Sequence, residues 1–278
     1  MSFSADWLAL REPFDRQARH AGVIQRAVDA MSGRPAVTIV DLACGTGSTL
    51  RALGPRLPMH QTWRLFDNDL SLLARVPPAV HVHVQPLDLV TDLEAALDGP
   101  VDLVTTSALL DLVSADWLER LVAEVAARRL PLYASLSYDG RIELAPSDPR
   151  DAAVIAAVNS HQRHDKGFGP ALGPMAASTA AANLEKVGYA VELGDADWVM
   201  RETDRAMQEA LLAGWAIAAS ETGEMPAEAV AGWLLSRRAT LTANRSRITV
   251  GHLDLFAVPG DARRADRSQS NSTSSPSR

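Results

Sequence analysis

Residues 36–47 read AVTIVDLACGTG: a short apolar run rich in β-branched residues, then an acidic residue and a turn with two glycines. Such a run predicts a strand that is buried on both faces, as in a parallel sheet. Glycines at 45 and 47 allow backbone dihedrals that a Cβ would forbid, and they let the backbone approach a ligand closely. In an open parallel sheet, ligands bind where a strand ends and a helix begins. The stretch therefore predicts an α/β fold with a ligand site at its first strand end.

Strand and helix patterns alternate after this stretch. Short apolar or alternating runs predict further strands near 62–66, 80–84, 101–105, 132–136, 189–193 and 248–258. Helical periodicity stands between most of them, which indicates βαβ units and a parallel sheet. Apolar spacing predicts an N-terminal helical segment over 1–35, a ligand-binding domain over 36–260 with helical insertions near 139–175 and 203–241, and a disordered Ser- and Arg-rich tail over 261–278.

The composition narrows the range of possible functions and partners. The 278 residues carry 27 Lys and Arg against 34 Asp and Glu, a net charge of −7, so nucleic acid is an unfavourable partner. The single cysteine, Cys44, excludes a disulfide within the chain and a thiolate-rich metal site, and we expect no metal. No window approaches the roughly 18 apolar residues of a membrane span, and the N-terminus lacks a signal-peptide pattern. We expect a cytoplasmic protein with no membrane partner; the sequence leaves its oligomeric state open.

Two ligand classes suit the turn after the first strand: a dinucleotide and S-adenosylmethionine. The dinucleotide fingerprint G-x-G-x-x-G would need a third glycine at position 50, where Leu50 stands. Asp41 would repel a pyrophosphate but suits the ammonium end of an amino acid, so the methionine-type cofactor is favoured. The second strand leads into Asp67, whose carboxylate can accept both ribose hydroxyls. The third leads into Asp88 and Leu89, which suit an adenine amino group and ring face.

The chain resembles the class I S-adenosylmethionine-dependent methyltransferases in DLACGTG at 41–47, RLFDND at 64–69, PLDL at 86–89 and VDLVTTSALLDLV at 101–113. The resemblance covers about residues 36–260. It implies an α/β, Rossmann-like sheet of seven mostly parallel strands with helices on both faces, an antiparallel last strand, and helical insertions over the C-terminal edge. It also implies S-adenosylmethionine as the cofactor. Ala43 stands where the family often has Gly. An alanine is tolerated at this position if its φ stays negative.

Carried over position by position, the resemblance implies a set of cofactor-binding residues. These are Asp41, Ala43, Cys44, Gly45 and Gly47 for the methionine part, Asp67 with Asn68 for the ribose, Asp88 and Leu89 for the adenine, and Ser107 beside the reacting methyl group.

The acceptor side is predicted from chemistry alone. A sulfonium methyl group is already activated, so the enzyme mainly aligns a nucleophile and excludes water. A general base is needed only for a poor nucleophile such as an alcohol. The candidate catalytic residues are Asp111 and His161, with Tyr138 and His164 as further candidates, and Arg11, His161 and Lys166 are predicted to bind the acceptor. The competing interpretation of the two histidines is that they are solvated loop residues.

The predicted function is transfer of a methyl group to a small-molecule acceptor, because the chain is acidic and its insertions could close over a pocket. The alternatives are methylation of RNA or protein, and a non-catalytic protein that binds the cofactor. An Asn-Pro-Pro-Tyr-type stretch, which usually marks base methylation, is missing after the fourth strand, where residues 107–110 read SALL.

Overall fold

One sheet of eight strands organises the computed structural model of the chain, which describes residues 4–260. The strands are β1 (Val37–Leu42), β2 (Gln61–Asp67), β3 (Val82–Pro86), β4 (Leu103–Ser107), β5 (Leu132–Ala145), β6 (Tyr189–Asp195), β7 (Trp198–Met200) and β8 (Arg247–Pro259). Their spatial order is β3-β2-β1-β4-β5-β8-β6, and β7 pairs with β8 beside this path. Strands β1 to β5 pair in parallel, whereas β8 runs antiparallel to β5, β6 and β7. The predicted sheet with an antiparallel last strand is confirmed, with one short strand more than predicted.

Helices cover both faces of the sheet. In chain order they are α1 (Ala5–Ala18), α2 (Ala21–Met31), α3 (Ser48–Leu53), α4 (Leu70–Leu73), α5 (Leu93–Ala96), α6 (Ala115–Ala127), α7 (Asp151–His161), α8 (Ala176–Lys186), α9 (Arg205–Thr222) and α10 (Ala227–Thr242). Alternate residues of β1 enter different apolar clusters: Val40 and Leu42 pack in the cluster that contains residues of α5, α6 and α8, and Ile39 packs in the cluster that contains residues of α2. Burial on both faces is why β1 appears in the sequence as an uninterrupted apolar run.

Strand β5 is longer than the sequence predicts. Its expected end was near residue 136, but it continues to Ala145 and pairs with β8 along most of that length. Two irregularities interrupt the register, one after Ala134 and one after Tyr138, and the second takes up the polar Asp-Gly pair at 139–140, because a bulge lets a strand bend without ending. The predicted helical insertion over 139–175 therefore begins as a strand and becomes helical only at α7.

A third apolar cluster lies around this extended ribbon. It joins residues of α7, α9, α10 and β7 to the far halves of β5 and β8, and α1 packs against it through Trp7, Leu10 and Phe14. The rings of Trp7 and Trp198 meet edge to face, with centroids 6.3 Å apart. The predicted helical insertion near 203–241 is α9 and α10. The insertions are distant from α1 in sequence. These contacts nevertheless bring α1 and the insertions to the same end of the molecule.

Two further outcomes concern the chain as a whole. Among the described residues, no helix combines the length and the apolar character needed to cross a membrane. The predicted tail over 261–278 lies outside the described residues. The division into a segment over 1–35 and a domain over 36–260 stays a prediction.

Candidate functional site

A cavity of about 410 Å³ opens at the carboxyl ends of β1, β2 and β4. Its walls are the loops that follow β1, β2, β3 and β4, and residues from α1 and residues 166–168 cover it in part. The strand order reverses between β1 and β4, and open α/β sheets bind ligands at such a reversal. The volume lies in the range of cavities that hold small molecules.

The loop after β1 takes backbone conformations that bring it close to the cavity. Gly45 has a φ of 54° and Gly47 a φ of 82°, both left-handed. Ala43 also lies in this region, with a φ of 53°, so the expected negative φ is wrong. A residue with a Cβ pays roughly 1–2 kcal/mol there. The same holds for Ala108 after β4, with a φ of 52°. Both alanines line the cavity, so two residues with strained backbone lie at the site.

Asp67 ties the end of β2 to the loop after β1. Its Oδ2 accepts a hydrogen bond from the backbone N–H of Gly45 at 2.8 Å, and its Oδ1 accepts one from the N–H of Asp69 at 2.9 Å. The side chain lines the cavity and is mostly buried. Each carboxylate oxygen can accept a second hydrogen bond, so the group is positioned to receive two hydroxyl donors from a ligand.

Asp41 lies beneath the cavity rather than on its surface. The residue is fully buried, and Thr105 donates a hydrogen bond to Oδ1 at 2.7 Å, while Oδ2 has no partner among the described residues. Burial raises the pKa of this carboxyl to about 7. Gly47, directly before α3, is likewise absent from the cavity lining. Direct contact of these two residues with a ligand stays a prediction.

The other predicted cofactor residues line the cavity: Ala43, Cys44, Gly45, Asp67, Asn68, Asp88, Leu89 and Ser107. The backbone N–H of Val90 donates to Asp88 Oδ1 at 2.9 Å, and the indole of Trp117 donates to the carbonyl of Leu89 at 2.7 Å, which holds the loop after β3 in place. Burial raises the pKa of the Cys44 thiol, so it is an unreactive wall of the site.

Of the predicted acceptor residues, Arg11 and Lys166 line the cavity. Arg11 is paired with Asp15, with Nε 2.9 Å from Oδ2, and its guanidinium lies over the Trp198 ring at 4.8 Å. Lys166 is 8% exposed, and its Nζ lies 3.3 Å from His161 Nδ1. The cavity therefore has one cation with a carboxylate partner and a second cation in contact with an imidazole.

The predicted bases lie outside the cavity lining. The Nε2 atom of His161 is 2.8 Å from Glu221 Oε2, so contacts engage both ring nitrogens. Tyr138 donates its hydroxyl to Asn159, and His164 is exposed. Asp111 is buried with Oδ1 unpartnered among the described residues, and burial raises its pKa to about 6. It belongs to the 3-10 turn whose last residue, Leu112, lines the cavity.

Sequence reasoning missed several lining residues: Leu8, Asp15, Leu109, Leu112 and Phe168. Phe168 is held by an edge-to-face contact with Trp117, with centroids 5.4 Å apart. Four of the five, all but Asp15, are apolar, a character that core residues share. Only the folding of α1 and of the loop after α7 over the strand ends distinguishes them. Among residues 4–260, no group of three or more His, Cys, Asp or Glu side chains could hold a metal ion.

The strand order, the antiparallel last strand and the site after β1 define a class I S-adenosylmethionine-dependent methyltransferase fold. No family model matches the chain, and no curated protein does. Similar solved structures include the YcgJ protein from Bacillus subtilis, with 14% identity, 87% of this chain and 100% of that chain covered, and a TM-score of 0.50. The cyclopropane synthase MmaA2 from Mycobacterium tuberculosis has 13% identity, 91% and 94% coverage, and a TM-score of 0.46. A methyltransferase from Thiobacillus denitrificans bound to S-adenosylhomocysteine has 16% identity, 93% and 100% coverage, and a TM-score of 0.45. At these identities the likeness concerns the fold.

Proposed function

We propose that this protein is an S-adenosylmethionine-dependent methyltransferase that acts on a small-molecule acceptor. One observation carries the proposal: one partly open cavity is lined by the carboxylate of Asp67, by the left-handed residues Ala43 and Gly45, and by a partial roof made by α1 and residues 166–168. The first two features suit the cofactor. The roof suits an acceptor small enough to be enclosed.

The residues present fit the cofactor. Asp67 keeps one lone pair on each oxygen for the two ribose hydroxyls, and Asp88 and Leu89 lie where an adenine would follow. The loop over 43–47 packs closely against α1 at Gly45. A Cβ at this position would stand 3.2 Å from Leu8 Cδ1, which is tighter than ordinary van der Waals contact. We assign Ser107, at the end of β4, to the region of the reacting methyl group.

When bound, S-adenosylmethionine supplies a methyl group that its sulfonium has already activated. The chain's own contribution is then alignment and exclusion of water. Leu8 from α1 and Phe168 from the loop after α7 cover the cavity with apolar surface. Leu109 and Leu112 complete this surface on the β4 side. These four residues would hold an acceptor with a largely apolar body against the methyl donor.

Where the acceptor needs a general base, we assign that role to Asp111 acting through one water, because its side chain lies behind the cavity lining in the turn that ends at Leu112. Its pKa of about 6 leaves it ionised at neutral pH, and it is far more basic than an ordinary aspartate. His161, by contrast, has both ring nitrogens in contact with other side chains, and we assign it the role of positioning Lys166. Replacement of Asp111 by Asn should lower kcat and remove the acidic limb of its pH profile. Replacement of His161 by Gln should raise KM and leave that limb unchanged.

Methylation of RNA or protein is the second function class, and the third is cofactor binding without turnover. The net charge of −7 opposes the first of these, and a cavity of about 410 Å³ is of the size that holds a small molecule. Neither argument separates an enzyme from a binding protein, which differ only in whether methyl transfer occurs.

Turnover distinguishes the three. The protein is incubated with methyl-labelled S-adenosylmethionine and a cell extract divided into a low-mass filtrate, a protein fraction and an RNA fraction, and S-adenosylhomocysteine is measured. We expect product only with the low-mass filtrate, resistant to RNase and protease. Label in the RNA or protein fraction would replace the small-molecule assignment, and tight cofactor binding without turnover in any fraction would make it a binding protein. Heat-treated protein is the control.

A further inference from the structure

Lys166 is a buried cation without a carboxylate partner. It is one of two lysines in the chain, lines the cavity, and is 8% exposed. Within residues 4–260, no carboxylate oxygen lies within ion-pair distance, 4.0 Å, of its Nζ. Lysine is almost never buried without a partner, because the ammonium loses its hydration. That cost is consistent with the lowered pKa of this group, which burial causes.

The contacts of Lys166 fix its direction and leave donors free. An ammonium only donates, so His161 Nδ1 must accept, and the ring proton must stand on Nε2. That proton points to Glu221 Oε2 at 2.8 Å, in α9, whose side chain is 60% exposed. The chain from Lys166 through His161 to Glu221 orients the lysine. Two of its three N–H groups have no protein acceptor in the described part of the chain.

The other cation at the cavity is already neutralised. Arg11 donates to both carboxylate oxygens of Asp15, which also accepts from the indole of Trp198 at 3.0 Å. An anionic ligand would therefore gain more from Lys166 than from Arg11, since a charge that already has a counter-ion offers less to a second one. The apolar residues that share the cavity with Lys166 include Leu112 and Phe168.

We propose that Lys166 binds a carboxylate of the methyl acceptor, so that the substrate is a small organic acid with an apolar body. The proposal rests on the function proposed above. A carboxylate would supply the missing counter-ion and accept the two free N–H groups of Lys166, while its hydrocarbon part packs on Phe168 and Leu112. His161 and Glu221 are positioning residues for this contact.

A carboxylate could come from a second source, the amino-acid end of the cofactor. The observations favour the acceptor, because Lys166 is anchored through His161 on α7 and Glu221 on α9. The predicted cofactor residues instead belong to the carboxyl ends of β1, β2 and β4 and to the loops after β1, β2 and β3. The two sources are separable, since methylthioadenosine shares the nucleoside of S-adenosylhomocysteine but lacks its amino acid.

The test uses the full chain and two variants, Lys166→Met and Lys186→Met. Lys186 is the other lysine and is exposed, so it is the matched control. Protein saturated with S-adenosylhomocysteine is mixed with aliphatic and aromatic monocarboxylic acids of different sizes and, in parallel, with their primary amides. Binding is followed by thermal shift and then by calorimetry. We expect at least one acid, and not its amide, to raise Tm in the wild type and in Lys186→Met.

In Lys166→Met the affinity for that acid should fall about 10- to 150-fold, the value of a hydrogen-bonded charge, while the unliganded Tm rises because an unpaired buried charge has gone. The proposal is overturned if no acid raises Tm, if amides bind as well as acids, or if Lys166→Met keeps the wild-type affinity. It is also overturned if Lys166→Met weakens S-adenosylhomocysteine but spares methylthioadenosine, because the cofactor's carboxylate would then be the partner. Failure of the wild type to bind S-adenosylhomocysteine at all would instead refute the proposed function.

Discussion

Replacement of Asp67 by alanine tests the cofactor side of the site most directly. The carboxylate stands at the end of β2, accepts the N–H groups of Gly45 and Asp69 at 2.8 and 2.9 Å, and lines the cavity. We expect it also to accept the two ribose hydroxyls of the bound cofactor. Alanine removes all of these acceptors at once and leaves the loop after β1 without its tether to β2.

The magnitude follows from the hydrogen bonds. A hydrogen bond to a charged group contributes about 1.5–3 kcal/mol, and two hydroxyls that share one carboxylate should together contribute about 2–3 kcal/mol. At 1.36 kcal/mol for each factor of ten, the affinity for S-adenosylhomocysteine should fall about 30- to 150-fold. The partly buried N–H groups of Gly45 and Asp69 lose their acceptor too, so the free energy of unfolding should fall by about 1 kcal/mol.

Calorimetric titration with S-adenosylhomocysteine measures the affinity, and urea denaturation measures the stability. The control is Asp98→Ala, because the Asp98 side chain is 75% exposed and does not line the cavity. Asp67→Asn should lie between alanine and wild type, since an amide keeps one acceptor oxygen but turns a donor toward a backbone N–H. An affinity for Asp67→Ala within threefold of wild type would refute the placement of the ribose on this carboxylate.

Three further predictions concern the loop after β1. Asp41→Asn should gain stability over wild type as pH rises from about 4 to 7, by up to ~4 kcal/mol in urea denaturation, because over this range the wild-type carboxyl ionises in the unfolded chain but stays protonated in the fold, where burial raises its pKa to about 7; a pH-independent difference would contradict this. Ala43→Gly should raise stability by about 0.5–1 kcal/mol through relief of its left-handed φ, whereas Ala126→Gly, inside α6, should lower it by a similar amount. Gly45→Val should abolish S-adenosylhomocysteine binding with an unchanged circular dichroism spectrum, because a side chain there meets Leu8 at a φ of 54°; normal binding would show that the loop is not the cofactor site.

The part of the cavity that we propose for the cofactor was predictable because its residues are local in sequence. The strand over residues 36–40, the turn with Gly45, and Asp67 after the next strand follow one another in chain order, and parallel strands bring their carboxyl ends to one edge. Eight of the ten predicted cofactor residues line the cavity. The exceptions, Asp41 and Gly47, are buried behind the cavity lining. Asp41 lies in β1, where side chains alternate in direction, and Gly47 stands at the start of α3.

The acceptor half was not predictable in the same way. His161 and Lys166 stand in one segment whose polar density suggested a pocket, but sequence cannot say which of the two faces it. The structure sends Lys166 into the cavity and leaves His161 behind it, held by Glu221 on α9. That contact joins residues 60 positions apart, and no spacing rule connects them.

By itself, the sequence determined the sheet, its helices and the loop that faces a ligand, because hydrophobic periodicity and glycine placement act over a few residues. Only the tertiary structure decided that α1 and residues 166–168 cover part of the cavity, that β5 continues through a bulge, and that one lysine is buried without a counter-ion. Those features depend on which distant surfaces pack together and on which charges that packing leaves unpaired.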